Sequence, residues 1–225
     1  MKRILASFFV FLAFMVPVAA GANFLPNDPY YSNQWYLSRI QAPAAWEKIN
    51  RSPNITIAVI DAGVQINHPD LQDNIWTNEK EIPDNQIDDD HNGFIDDVHG
   101  WDFVGNVPDP SPKFDEGWIE SGISHGTMVA GIIAATGDNH RGIVGLTWQA
   151  KIMPLRALND KGEGRISEVI RALDYAVHNG ADIINLSFVG FNYSQGLQDA
   201  IQRAYDAGVI VVAAAGNEQA DGEGY

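Results

Sequence analysis

From residue 50 onward, short apolar runs alternate with amphipathic segments, and this alternation constrains the fold more than any other feature. Four runs predict buried strands, at residues 55–60, 151–155, 182–186 and 209–213. Between them, one helical pattern begins near a predicted cap at Ser167 and ends at Gly180, and a second runs from Leu197 to Gly208. Strand and helix in turn predict an α/β fold, a doubly wound, mainly parallel sheet with helices on both faces. Ligand sites in such sheets form beyond the carboxyl ends of the strands.

The composition argues against nucleic acid as a partner and excludes disulfide bonds. The 225 residues include 29 acidic and 14 basic side chains, for a formal net charge of −15. Because such a surface repels phosphate, we expect no nucleic acid partner, whereas divalent cations suit it. The chain has no cysteine, so neither a disulfide nor a thiolate zinc site can hold the fold together.

The first 22 residues have the features of an export signal. Lys2 and Arg3 precede an apolar run from residue 4 to residue 16, and Pro17 and a small-residue segment at 20–22 follow it. The run is shorter than the roughly 20 residues that a membrane-spanning helix needs, so we expect cleavage and no stable membrane anchor. The sequence thus predicts a signal peptide at 1–22, a catalytic domain at 23–225, and a secreted, extracellular protein. An exported protein without cysteine needs another support, and bound metal is the candidate.

Three polar residues lie where the α/β pattern predicts chemistry. Asp61 directly follows the first apolar run, with Gly63 for a sharp turn, and Asn217 follows the last run. His125 opens a run of small and apolar residues, so we expect it at the N-terminus of a buried helix, where the dipole disfavours the imidazolium. Each has an ordinary structural explanation when taken alone, as a turn residue or a helix-start histidine. Together they suit an acid, a general base and an oxyanion donor.

The segments around these three residues resemble the signature blocks of the subtilase family, in the family's chain order. The blocks are Ala58-Val-Ile-Asp-Ala-Gly-Val64, His125-Gly-Thr-Met-Val-Ala-Gly131 and Ala213-Ala-Ala-Gly-Asn217. The segments 27–31 and 40–46 are most similar to the thermitase-like branch. The resemblance implies a serine endopeptidase in which Asp61 orients His125, His125 is the general base, and Asn217 contributes to the oxyanion hole.

The resemblance also implies a groove for a peptide or protein substrate in extended conformation. One rim would be Ser187, Phe188 and Val189, and the opposite rim Gly162 and Gly164. Ala214 and Gly216 would line the first pocket, whose small residues suggest that large apolar side chains enter it. Binding mainly through main-chain hydrogen bonds predicts broad sequence tolerance. The alternative is that Ser187 and Gly190 only end a strand.

An acidic segment between residues 88 and 97, within a region at 72–124 that we predict to be a long functional loop, predicts a Ca²⁺ site. Oxygen ligands alternate there around Gly93, as in the start of an EF-hand loop, although His99 stands where that motif has glutamate. The candidate ligands are Asp88, Asp90, Asn92, the carbonyl of Phe94, Asp96 and Asp97. A merely solvated acidic loop is the alternative. The family resemblance implies a second calcium site at Asp28, Asp70 and Asn139, with backbone carbonyls near residues 137, 141 and 143.

The catalytic serine block of the family is not found within these 225 residues. We therefore expect the nucleophile of an Asp/His/Ser triad to lie beyond Tyr225, and the chain as given to be inactive alone. The signal is followed almost at once by the mature-like start at Asn27, which leaves no space for the usual folding propeptide. We expect a monomer. The alternative function is a non-catalytic, calcium-binding secreted domain of the same fold.

One short motif suggests a different enzyme class. The segment Gly122-Ile-Ser-His-Gly126 matches the nucleophile elbow of α/β-hydrolases, which would make Ser124 the nucleophile of an esterase. That elbow requires a buried strand directly before it, whereas the preceding residues 114–121 are polar and turn-like. We treat the esterase as the remote alternative.

Overall fold

A five-stranded parallel sheet forms the centre of the protein. The computed structural model describes residues 25–114, 117–190 and 192–217. The strands are β1 (Thr56–Asp61), β2 (Trp101–Asp102), β3 (Lys151–Arg156), β4 (Ile183–Leu186) and β5 (Ile210–Ala213). They lie in the order β2-β3-β1-β4-β5, and every paired neighbour is parallel. All four predicted strands are therefore confirmed, within one residue at each end.

Strand β2 was not predicted, because it is too short to show a periodicity. It has two residues, Trp101 and Asp102, paired with Leu155 and Arg156 of β3. It lies within the long loop region between β1 and the next long helix. The interpretation of residues 72–124 as loop therefore missed one edge of the sheet.

The helices are α1 (Trp35–Arg39), α2 (Ala42–Trp46), α3 (Glu120–Ala134), α4 (Ile166–His178) and α5 (Gln195–Asp206), with short 3₁₀ turns at Tyr31–Asn33 and Gln72–Asn74. The amphipathic patterns correctly predicted α4 and α5. At the start of α5, the Ser194 hydroxyl accepts a hydrogen bond from the Leu197 amide, which satisfies one free donor of the first turn. The predicted cap of α4 is wrong: the helix begins at Ile166 after Arg165, and Ser167 lies inside it.

Helices cover both faces of the sheet, as the sequence predicted. Alternate side chains of β1 point to opposite faces, because a strand has a period of two. Ala58 and Ile60 pack in one apolar core with residues of α4 and α5, and Ile57 and Val59 pack in another with residues of α3. Every residue of β1 is buried. The doubly wound, mainly parallel α/β architecture is thus confirmed.

Two sequence expectations about individual elements are wrong. Helix α3 begins at Glu120, so His125 lies in its second turn and not at its N-terminus, and the helix dipole acts on it less than expected. Strand β5 is at the edge of the sheet formed by the described residues and is not buried there, since Ile210 is 60% exposed and Val212 is 49% exposed. These two side chains border an apolar groove of about 680 Å³ that also contacts Leu37, Ile132 and Ile183.

Within the described ranges, none of the helices has both the length and the apolar character that crossing a membrane requires. The predicted signal peptide, at residues 1–22, lies outside those ranges.

Candidate active site and metal centres

Asp61 is the last residue of β1 and lies at the carboxyl edge of the sheet. Its side chain is fully buried, and its carbonyl oxygen accepts hydrogen bonds from the amides of Ala157 (2.9 Å) and Leu158 (3.1 Å). Gly63 turns the chain sharply after the strand with φ of +106°, a conformation that favours glycine. The buried central strand thus holds the carboxylate in a single position at the edge where ligands bind.

The structure brings His125 to this carboxylate. Nδ1 of the His125 ring lies 2.9 Å from Oδ2 and 3.0 Å from Oδ1 of Asp61. Because a carboxylate can only accept, Nδ1 carries the proton, and Nε2 is left with a lone pair. The His125 side chain is 43% exposed, so an incoming group can reach it. This arrangement can orient a neutral imidazole for proton transfer.

Burial is the main influence on the pKa of the Asp61 carboxyl group. Desolvation raises its pKa above the ordinary value, while the hydrogen bond from the Ala62 amide (2.8 Å) and the contact with His125 act in the opposite direction. A proton arriving on His125 would create an imidazolium beside this poorly solvated carboxylate. The attraction between the two opposite charges would offset part of the cost of burying the Asp61 carboxylate.

Two glycines allow α3 to pack closely against the carboxyl edge of the sheet. A Cβ placed at Gly126 would lie 2.4 Å from the Gly63 carbonyl oxygen and 2.9 Å from the Asp61 Cβ. A Cβ placed at Gly122 would lie 2.3 Å from the Asp160 carbonyl oxygen. Residues four apart share one face of a helix, so both contacts belong to the same face of α3. The close approach of His125 to Asp61 depends on the absence of side chains there.

We expect Gly126→Ala to destabilise the fold by about 1–3 kcal/mol, because the new methyl group overlaps backbone that cannot move easily. Gly131→Ala on the same helix is the matched control. Its Cβ would meet only the flexible tip of Ile143 at 3.4 Å, so alanine there should be neutral or stabilising by up to about 1 kcal/mol. Urea unfolding of the two variants measures the difference. Equal stabilities would show that the backbone contact at Gly126 does not limit the position of α3.

The predicted substrate residues are at the same edge of the sheet. Ser187 and Val189 follow β4, and Ala214 and Gly216 follow β5, where the Ala214 amide donates to the Leu186 carbonyl oxygen (3.0 Å). Gly216 has φ of +97°, and a Cβ there would lie 3.4 Å from Val189. Phe188 is partly buried and packs against the core that contains Ala58 and Ile60, and its place in the substrate groove stays a prediction.

The remaining predicted residues near the groove are Gly162, Gly164 and Asn217. Gly162 has φ of +78° in a closed turn, with open space where a Cβ would be. Gly164 packs tightly on the Ala157 carbonyl oxygen. Asn217 is exposed and follows β5 at the carboxyl edge, and its role as an oxyanion donor stays a prediction.

Three carboxylates converge beside the acidic loop. One oxygen from each of Glu81, Asp90 and Asp97 lies within 4.8 Å of the others. Asp97 and Glu81 are buried, and the Asn78 side chain donates to Asp90 and to Asp97, each at 3.1 Å. Glu81 was missed in the sequence, because it precedes the loop and no local motif includes it. Only the folding of the loop back over Glu81 makes it part of the cluster.

The other predicted loop ligands have backbone or core partners. Asp88 accepts from the amides of Asn92 and Gly93, and Asp96 accepts from two amides of the turn at residues 85–86. The Phe94 ring packs against Trp101, Phe103 and Tyr175, and the role of its carbonyl oxygen as a ligand stays a prediction. The described contacts thus bring together Asp90 and Asp97, but not Asp88 or Asp96, in the carboxylate cluster.

Burial disfavours negative charge in this cluster. It raises the pKa values of Glu81 and Asp97, and the neighbouring carboxylates add to the effect, although hydrogen bonds from Tyr175 (2.5 Å) and from Asn92 and Asn78 lower the pKa of Asp97. The pKa of Tyr175 is raised too, by burial and by the charge of Asp97. A cation among these oxygens would remove the repulsion, so the donor set fits a hard divalent ion.

A second group of polar side chains comprises Asp28, Asp70 and Asn139, for which the family resemblance predicts a calcium site. The Asn139 side-chain amide donates to Asp70 (2.7 Å), and the Asp138 amide donates to Asp28 Oδ2 (2.8 Å). The other oxygen of Asp28, Oδ1, is buried and has no hydrogen-bond partner among the described residues. Burial and the charge of Asp70 raise the pKa of Asp28. An unsatisfied buried carboxylate oxygen beside a second carboxylate fits a cation site.

The structure does not support Ser124 as a nucleophile. Ser124 lies inside α3, and its hydroxyl donates to the Glu120 carbonyl oxygen at 2.6 Å. A nucleophile elbow needs a strand that turns sharply into a helix, and here helix precedes the serine. The esterase hypothesis therefore lacks its structural basis.

Comparisons with known proteins find similar sequences over most of this chain. The model of the Subtilase family matches residues 52–225. Thermitase of Thermoactinomyces vulgaris is 38% identical over 195 residues, which are 86% of this chain and 58% of thermitase. Halolysin of Haloferax mediterranei is 36% identical over 197 residues, 88% of this chain and 33% of halolysin.

A solved structure is also similar. A protease from Pseudoalteromonas arctica matches with a TM-score of 0.67 and 29% identity, over 85% of this chain and 59% of that one. The chain spans less than two thirds of the length of each of these relatives. With the family model covering most of its length, this chain belongs to the subtilase family.

Proposed function

We propose that the full-length protein is a secreted serine endopeptidase with an Asp/His/Ser triad. The observation that carries this proposal is the 2.9 Å contact between Asp61 and His125 at the carboxyl edge of a parallel sheet. In this role Asp61 holds the His125 tautomer and His125 is the general base. The serine comes from chain beyond Tyr225, and Asn217 donates to the oxyanion.

The reaction proceeds by acyl transfer. The serine Oγ attacks the peptide carbonyl carbon while its proton passes to Nε2 of His125, and negative charge develops on the carbonyl oxygen, facing the Asn217 amide. The C–N bond then breaks, and His125 returns the proton to the leaving amine. Water repeats these steps on the acyl-enzyme and releases the acid, with the serine restored.

The groove supports binding of an extended peptide. The peptide would lie between Ser187 and Val189, which follow β4, and the turn that contains Gly162 and Gly164, and strand-like main-chain hydrogen bonds would hold it. Ala214 and Gly216 leave space for a large apolar substrate side chain. Beside β5, the apolar groove offers a surface on which the serine-bearing segment can pack. That thermitase is longer than this chain supports such a segment in the full-length protein.

We propose that Ca²⁺ occupies both groups of carboxylates. Asp28, Asp70 and Asn139 would hold one ion, and Glu81, Asp90 and Asp97 would hold the other. The bound ions would supply positive charge that offsets the carboxylate repulsion, which is a structural rather than a chemical role. A signal peptide at 1–22, secretion and a monomeric state belong to the same proposal, and metal would replace disulfides in the extracellular protein.

Labelling by a fluorophosphonate tests the catalytic proposal directly. In the full-length product we expect one labelled serine in the chain after Tyr225, found by peptide mass spectrometry, because an activated serine attacks such reagents. His125→Ala should abolish labelling, while Ser124→Ala should leave it unchanged.

Absence of a label, with calcium still bound, would favour the second candidate, a non-catalytic calcium-binding domain. The buried Oδ1 of Asp28, without a partner among the described residues, is the observation that keeps this candidate open. A label on Ser124 would instead restore the esterase.

A further inference from the structure

A buried ionic triad lies directly beside the candidate active site. The Arg156 guanidinium contacts both oxygens of Asp102, at 2.9 and 3.1 Å, and Oδ1 of Asp160 at 2.9 Å. No more than 2% of any of these side chains is exposed. Arg156 is the residue of β3 paired with Asp61 of β1. Such a buried charge cluster is costly to form, and its residues tolerate little displacement.

Asp160 connects this triad to two further segments. Its Oδ1 also accepts the Lys113 amide at 3.2 Å, and its carbonyl oxygen accepts the Ile119 amide at 3.1 Å. The segment that ends at Lys113 covers the turn after Asp61, because Gly63 lies against the backbone of residues 110–112. The Ile119 amide directly precedes α3. Asp160 therefore holds the chain on both sides of residues 115–116, which the structure does not describe.

Asp160 also forms one of the two close backbone contacts made by the helix that carries His125, α3. Gly122 packs on the Asp160 carbonyl, and Gly126, one turn later, packs on the turn after Asp61. The packing of Gly126 on Gly63 and the hydrogen bond to Asp61 hold the His125 ring beside Asp61, and neither contact involves Asp160. The packing of Gly122 on the Asp160 carbonyl oxygen determines the distance between the first turn of α3 and the turn at residues 159–164.

Asp160 further belongs to the turn that forms one rim of the groove. The Asn159 amide donates to the Glu163 carbonyl (2.7 Å), and the amides of Lys161 and Glu163 donate to the Asn159 side chain (2.9 and 3.0 Å). This closed turn contains Gly162, and its internal hydrogen bonds hold residues 159–163 in one conformation. Its buried attachment is Asp160.

We propose that Asp160, anchored by Arg156, is a positioning residue that sets the spacing between the groove rim at 159–164 and the His125 helix. The inference rests on the proposed peptidase function. A substrate that contacts the rim and the catalytic dyad together requires this spacing, whereas a substrate that contacts only the dyad and the first pocket does not.

The test compares two substrates in the full-length protein with Asp160→Asn. For a tetrapeptide anilide that reaches the rim, we expect kcat/KM to fall roughly 10–100-fold, mainly through KM, since small misplacements far from the chemistry cost up to about 10²-fold. For a single-residue ester we expect less than about a threefold change, because Gly126 and Asp61 still hold His125. Asp174→Asn is the control: it removes a bidentate ion pair with Arg203 between α4 and α5, away from the groove.

Hydrogen exchange gives a readout that needs no activity. Asp160→Ala should increase exchange at the amides of Lys113 and Ile119, and Asp174→Asn should not. If the wild-type protein cleaves neither substrate, the peptidase proposal fails, while faster exchange at these two amides still supports Asp160 as the anchor. If the wild-type protein is active and Asp160→Asn changes both substrates equally or neither, the positioning role is wrong. Should Asp160→Asn not fold, Asp160→Glu, which keeps the charge but lengthens the side chain, is expected to give the same difference between substrates.

Discussion

Replacement of His125 by alanine is expected to lower kcat of the full-length protein roughly 10⁶-fold, a magnitude carried over from a member of the same family rather than derived from this structure. The physical reason is that Nε2 of His125 is, among the described residues, the ring nitrogen beside Asp61 that is free to take the serine proton. Asp61 is fully buried and is already in contact with the ring. Substrate binding should change little, since the rims do not include His125. Steady-state hydrolysis of a peptide anilide measures the effect.

His178→Ala is the matched control, because that histidine lies in the last turn of α4 on another part of the molecule. It should retain wild-type kcat. The thermal midpoint of His125→Ala should stay close to that of the wild type, since the side chain is partly exposed. A His125→Ala protein that keeps more than about one per cent of the activity would contradict the assigned base, because general-base catalysis alone contributes about 10²–10⁴-fold.

Removal of calcium is expected to lower the thermal midpoint of the protein by roughly 5–10 °C. An ion present at 100 times its dissociation constant stabilises the fold by about 2.7 kcal/mol, and for a domain of this size each kcal/mol shifts the midpoint by about 2–4 °C. Without the ion, the Asp28 and Asp97 carboxylates are buried beside other carboxylates. Burial and this repulsion raise the pKa values of Asp28 and Asp97. Calorimetry with chelator, with Ca²⁺ and with Mg²⁺ measures the shift.

Single substitutions separate the two sites. Asp28→Asn and Asp97→Asn should each remove part of the calcium-dependent increment, and Asp206→Asn, on the surface of α5, should remove none. Mg²⁺ should restore little, because it requires a smaller, more regular coordination shell. A midpoint that does not depend on calcium in the unsubstituted protein would refute both sites.

The sequence was sufficient for the elements whose residues carry their own signal. Strand β1 is a continuous apolar run, and α4 has one apolar face, so each could be predicted within one or two residues. Asp61 could be placed at the carboxyl edge of the sheet because it follows a predicted strand, and His125 could be named as its partner because the segments around both residues resemble a known family. The predicted Asp28, Asp70 and Asn139 group relied on the resemblance alone.

Long-range contacts account for what was missed. The start of α3 lies five residues before His125, in polar sequence that becomes helical where Gly122 packs on Asp160 and the Ile119 amide donates to it. Glu81 joins Asp90 and Asp97 only because the loop folds back, and no spacing in the sequence relates them. Strand β5 is as apolar as β1, and within the described residues β4 is its one neighbour in the sheet, so Ile210 and Val212 are exposed beside the apolar groove.

The amino-acid sequence by itself determined the α/β architecture, the family, and the acid and base that meet at the sheet edge, because periodicity and local motifs are properties of neighbouring residues. Only the tertiary structure decided which carboxylates lie close enough to share a cation, and how Asp160 connects the rim turn to the helix of His125. Those features depend on packing between segments far apart in the chain, where burial and close approach, rather than residue type, determine the outcome.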